Sequence, residues 1–123
     1  MLRRLLVLPV CFLALTAFSD GAKKDLAAAC AGSLIERQKR GQETPKALVA
    51  NRTPICACVA DGVADEAEIP DGDKPKVTKI FAMVAAGDMK AARALRLTLG
   101  KLVHTALRRI TRDCAREFEK PGE

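Results

Sequence analysis

Downstream of residue 19 the chain carries four cysteines, Cys30, Cys56, Cys58 and Cys114, and a single alanine separates the middle two. An even count of thiols in a small chain that leaves the cytosol reads as a framework of two disulfides. Export is indicated by the N-terminus. Met1-Leu2-Arg3-Arg4 is a short positive segment, and Leu5 to Phe18 is an apolar run of fourteen residues. Ala17-Phe18-Ser19 then offers the small residues that a signal peptidase reads, which predicts cleavage before Asp20. Fourteen helical residues span about 21 Å, short of a ~30 Å hydrocarbon core, so a retained membrane anchor is disfavoured. Cys11 lies inside the apolar run, after a bulky Val10, and reads as filler of the signal segment rather than as a lipid-attachment site.

The expected organisation is therefore a signal peptide over 1–19 and one helical domain over 20–123, located in the periplasm or outside the cell. That domain of 104 residues holds 19 basic and 15 acidic residues. Its aromatic side chains are Phe81 and Phe118 alone, and its remaining apolar residues are chiefly Ala, Leu, Val and Ile. Small aliphatic side chains bury less area each than aromatic ones, so the core is thin and covalent staples matter.

Helical periodicity runs through the domain. Leu26, Ala27, Cys30, Ala31, Leu34 and Ile35 recur at three- and four-residue spacing and predict a helix over 22–40, stopped by Gly41. Thr44-Pro45 and Thr53-Pro54 read as two helix starts, each a capping hydroxyl followed by a proline in the first turn. They predict a short helix over 45–51 and another from Pro54 to about Ala67, or one proline-kinked helix in their place. A helix over 75–86 presents Val77, Ile80, Phe81, Val84 and Ala85, ends at Gly87, and hands over to a cap at Asp88. A long helix follows over 89–119. Its stripe is Ala92, Leu95, Leu99, Val103, Ala106, Ile110, Cys114 and Phe118, widened by Leu102 and Leu107, with Gly100 as a weak point.

The cysteines fit this pattern. Cys30 and Cys114 lie within apolar stripes and so face other helices. Cys56 and Cys58 are about 200° apart round their helix, one thiol for each of two neighbours. A bond between these two would close a strained ring and constrain little of the unfolded chain. The geometry favours Cys30 bridged to one of them and Cys114 to the other. Loops of roughly 27 and 57 residues would be worth about 3.5 and 4 kcal/mol in the chain-entropy treatment.

Catalytic readings fail on inventory. The domain has one histidine, His104, expected on the exposed polar side of the long helix, and one serine, Ser33; a triad needs nucleophile, base and orienting group together. One histidine makes no zinc site. The acidic segment Asp61 to Asp73 lacks the alternating ligands and central glycine of an EF-hand loop and reads as a solvated helix end with a turn at Ile69-Pro70-Asp71-Gly72. Soft-metal binding by the thiols with Met83 or Met89 lacks a clustered motif. The hairpin at Gly87 is no reason to expect nucleic-acid binding.

What remains is the basic side of the long helix, where Lys101, Arg108, Arg112 and Arg116 form a candidate partner-binding face for an acidic protein or an anionic membrane surface. Part of that charge is expected to be neutralised by the acidic segment. The sequence thus predicts an all-α, four- to five-helix bundle stapled by two disulfides, needing no cofactor and acting as a non-enzymatic binding module. The alternative is a thiol–disulfide redox or soft-metal-handling protein using Cys56 and Cys58, which sit near a helix N-terminus where thiolates are favoured.

Overall fold

The structure is a computed structural model that describes residues 18–41 and 45–118. The expected signal segment lies outside the described residues except for Phe18 and Ser19, and Cys11 lies outside them too. The described residues form six helices: α1 (Asp20–Lys39), α2 (Lys46–Ala50), α3 (Arg52–Asp65), α4 (Lys74–Ala85), α5 (Met89–Arg96) and α6 (Lys101–Arg116). None is long and apolar enough to cross a membrane. The all-helical, twice-stapled architecture expected from the cysteine pattern is the one observed: Cys30 is bonded to Cys56 and Cys58 to Cys114.

Helix α3 carries one cysteine of each bridge. Its inner face buries Ile55, Cys56, Val59, Ala60 and Val63. The Cys30–Cys56 bond and the Lys23–Asp61 ion pair set α1 antiparallel to it. On its other side, contacts with α6 follow at one-turn intervals. Cys58 is bonded to Cys114, Gly62 lies against Ile110, and Glu66 pairs with Arg109, which also reaches Glu68. These helices too run antiparallel. A Cβ added to Gly62 would sit 2.7 Å from Ile110 Cγ2, so the missing side chain is what lets α6 approach. Helix α1 also packs extensively on α4, where Gly32 plays the same part beside Ala85.

The helix ends follow from local chemistry. Ser19 caps α1 by accepting from the Ala22 amide at 3.1 Å, and Phe18 packs against the core; cleavage before Asp20 would remove both contacts. Gly87, at φ 83°, closes α4 as expected: its amide bonds to the Val84 carbonyl and that of Asp88 to the Met83 carbonyl. Asp88 then caps α5 through the Ala91 amide. Arg40 ties this turn to the end of α1 by donating to the Gly87 carbonyl at 2.8 Å.

Three expectations are corrected. The long helix over 89–119 is two helices, which raises the count to six. Thr98 donates its hydroxyl back to the Leu95 carbonyl at 2.6 Å, and the amides of Thr98 and Leu99 bond three residues back instead of four. Gly100 is then extended (φ -73°, ψ 165°) and begins α6. A threonine and a glycine are poor at holding a helix through this point, and the break delivers Leu99 into the core. Second, Thr53 caps nothing. Asn51 ends α2 and starts α3, and Pro54 falls within the first turn of α3, where its missing amide hydrogen has no intrahelical partner to lose. Third, Leu102 does not widen the apolar stripe; it is exposed.

One buried charge escaped the sequence reading. Lys74, at the start of α4, is buried, and its ammonium donates to the Ala64 carbonyl at 2.8 Å and to Asp71 at 2.9 Å. It thereby ties the C-terminal carbonyls of α3 to the acidic turn, while Ile69 pins that turn to the core.

Two substitutions test these contacts by urea denaturation. Gly62→Ala gains about 1 kcal/mol of helix propensity but overpacks against a stiff β-branched side chain, so a net loss of about 1–2 kcal/mol is expected. An increase in stability would contradict the close approach of α3 and α6. Lys74→Met strands the Ala64 carbonyl and should lower stability by about 1–3 kcal/mol; a change below 0.5 kcal/mol, ordinary for a surface site, would remove its structural role.

Candidate binding cleft

Helices α1 and α6 are both bonded to α3, but α6 stands off from α1 and α4. The space between is a cleft of about 770 Å³, within the roughly 300–1,000 Å³ range of small-molecule sites. Its floor comes from Leu34 of α1, Ile55 and Val59 of α3, and Val77, Ile80 and Phe81 of α4. Leu48 of α2 and Leu107 of α6 add to the apolar lining.

The charged part of the lining is all arginine among the described residues. Arg37 comes from α1, Arg96 from the end of α5, and Arg108 and Arg112 from α6, with His104 beside them; among the described residues the lining contains no carboxylate. Helical geometry explains the share from α6. With Val103, Ala106, Ile110 and Cys114 set against α3, residues 104, 107, 108, 111, 112 and 115 occupy the adjoining sector, about 40–180° round. Arg109 and Arg116 point further round. Arg109 meets Glu66 and Glu68, so the acidic segment neutralises this arginine rather than those lining the cleft. Arg112 has Asp113 beside it at 3.5 Å, with both side chains exposed, which is a weak pair in water.

The candidate basic face is thus divided. Arg108 and Arg112 line the cleft; Lys101 and Arg116 are exposed and are not part of its wall. His104 is half-buried in that wall, not on an open surface as the sequence suggested. Arg37 and Arg96 were missed. A signal for both was present, because Arg37 lies seven residues after Cys30 and Arg96 four after the buried Ala92. Each continues an apolar stripe with a charge, as happens where a stripe runs out into a cavity rather than into a neighbouring helix. Arg37 carries a further mark: its Nε is buried and, among the described residues, has no hydrogen-bond partner. A charged donor withdrawn from water and left unbonded is costly, by about 1–3 kcal/mol or more.

Ser33 also lines the cleft, but its hydroxyl donates to the Cys30 carbonyl of its own helix at 2.6 Å. Cys56 and Cys58 belong to different bridges, so neither presents a dithiol partner to the other nor a thiolate to a metal. Among the described residues, no group of three or more His, Cys, Asp or Glu side chains is gathered about a point where a cation would sit. In the acidic segment, Asp71 pairs with Lys74 and Asp73 with Lys76.

Comparison with protein-family models, with curated proteins and with solved structures finds no match to this chain.

The two bridges differ in exposure, and this sets their order of reduction. Cys30 and Cys56 are 5% and 0% exposed, whereas Cys58 lies at the surface. Exchange requires a thiolate to reach a sulfur. Under limiting dithiothreitol without denaturant, differential alkylation should label Cys58 and Cys114 before Cys30 and Cys56. Equal rates, or the reverse order, would show that the buried bridge opens by local unfolding of α1.

Proposed function

We propose that this chain is an exported, non-enzymatic binding module that holds anionic molecules with an apolar part in the cleft between α6 and the α1–α4 pair. The observation that carries the reading is the convergence of arginines from α1, α5 and α6 over an apolar floor, with no carboxylate in the lining among the described residues. A cleft of one charge sign with low-dielectric walls focuses its field on whatever enters. Apolar contact supplies affinity, and a few placed polar groups supply orientation.

The four cysteines act in this reading as staples. Two disulfides among the described residues are in keeping with an oxidising compartment, the periplasm or the exterior, to which the N-terminal signal pattern also points. The redox alternative draws no support from a pair whose members are bridged to separate helices. An acidic protein or an anionic membrane remains a partner class that the exposed Lys101 and Arg116 would serve, at the rim rather than at the centre.

Anilinonaphthalene sulfonate, a sulfonate on an aromatic body, is a probe of this chemistry. Native, unreduced protein should bind it at one site, and the Arg108→Glu/Arg112→Glu variant should bind at least tenfold more weakly, about 1.4 kcal/mol. Affinity should also fall with added salt, as the cleft is open to solvent along one side. Binding unchanged in that variant would remove the cleft as the site.

A further inference from the structure

Resting on the cleft as the binding site, we infer that its ligand is a single-chain fatty acid, bound with its carboxylate at Arg37 and its tail over the apolar floor that runs beneath α6. Three features select this class. The first is volume. At water's share of ~30 Å³ per heavy atom, the cleft of about 770 Å³ holds roughly 25 heavy atoms. A long-chain fatty acid has about 16–20 and fits within it, whereas a diacyl phospholipid, at about twice the capacity, would extend out of the open side.

The second is shape. The α6 wall runs from His104 to Ala115, which is about 16 Å of helix. Saturated carbons advance ~1.25 Å per bond when extended, so this length accommodates a chain of about 14 carbons. The floor beneath is aliphatic and aromatic throughout, with Val59, Ile80, Phe81 and Leu107 on the path. A sugar would bury its hydroxyls against that floor without partners.

The third is charge. Arg37 is a half-buried guanidinium of the cleft lining, and its buried Nε has no hydrogen-bond partner among the described residues, so the group carries hydrogen-bonding capacity that the protein does not use. A carboxylate is the planar two-oxygen acceptor that a guanidinium fork matches, and burial strengthens the pair. Arg112 stands on the opposite wall as a second cation, and Arg108 lies one turn away on the same helix. At the far end Leu97, 77% exposed, extends the apolar path out to solvent and forms the lip across which a tail slides.

The test is displacement of anilinonaphthalene sulfonate from unreduced, full-chain protein by myristate below its micellar concentration, with tetradecanol and butyrate as partial ligands and diacyl phosphatidylglycerol vesicles as the membrane arm. Myristate should displace the probe with one molecule per chain and at least tenfold more tightly than either partial ligand. Arg37→Met should weaken myristate at least tenfold while leaving tetradecanol unchanged, and Arg37→Lys should recover part of the loss. Equal affinity for myristate and tetradecanol in the unaltered protein would overturn the inference, whether or not the variants fold. Probe binding without displacement by myristate would overturn it too, while leaving the cleft as a site for other anions. Vesicle binding without myristate binding would assign the charge to a membrane surface instead. Failure of the unaltered protein to bind either probe or myristate would remove the cleft reading altogether.

Discussion

The whole structure depends on one helix being held covalently on two sides. Cys56 and Cys58, two residues apart on α3, are turned in nearly opposite directions, and each is bonded to a different neighbour. Helix α1 is thereby fixed to one side of α3 and α6 to the other. The non-covalent contacts are arranged to suit: Gly62 admits Ile110 one turn from the Cys58–Cys114 bond, and Glu66 takes Arg109 about a turn further on. In the chain-entropy treatment the two loops are worth about 3.5 and 4 kcal/mol, comparable with the whole stability of an ordinary small domain. The core they supplement is built from Leu26, Val59, Val63, Ile69 and Val77, with no aromatic ring fully buried among the described residues.

The same constraint accounts for the cleft. A bundle whose cohesion came only from packing would close α6 onto α1 and α4 to bury Leu34, Phe81 and Leu107, because open apolar surface is unfavourable. Tethering α6 to the far side of α3 relieves that requirement, and the space is lined instead by arginines whose mutual repulsion favours separation. The kink at Gly100 contributes as well. It turns the chain out of α5 so that Arg96 and Leu97 end at the mouth of the cleft while Leu99 anchors the corner. Stapling and the cleft are thus linked through geometry: the bonds that hold the helices together also set the distance across the gap.

Much of the fold was legible because the signals were local or covalent. The stripe through Val103, Ala106, Ile110 and Cys114, the Gly87–Asp88 connection, and the opposed directions of Cys56 and Cys58 can all be read from spacing. What was not legible depended on tertiary placement. The helix break at Gly100 is decided by whether Leu99 finds a pocket, which the periodicity of a continuous stripe does not encode. The burial of Lys74 depends on Ala64 and Asp71 converging on it from outside its own helix. The candidate site was half legible. Arg108 and Arg112 stood out as a basic face, but a single helix does not reveal what lies opposite. The cleft appears only when α1 contributes Arg37 and α4 contributes Phe81 across the gap. The sequence could nevertheless have pointed to Arg37, since a charge in register with Cys30 calls for a reason.

The account therefore stands on which thiol of α3 serves which neighbour. Tandem mass spectrometry of unreduced protein resolves this, because backbone fragmentation on either side of Ala57 separates the two middle cysteines. The account predicts Cys30 linked to Cys56 and Cys58 linked to Cys114. Cys30 linked to Cys58, or Cys56 bonded to Cys58, would contradict it: α1 and α6 would then not be fixed to the sides of α3 that hold the cleft open.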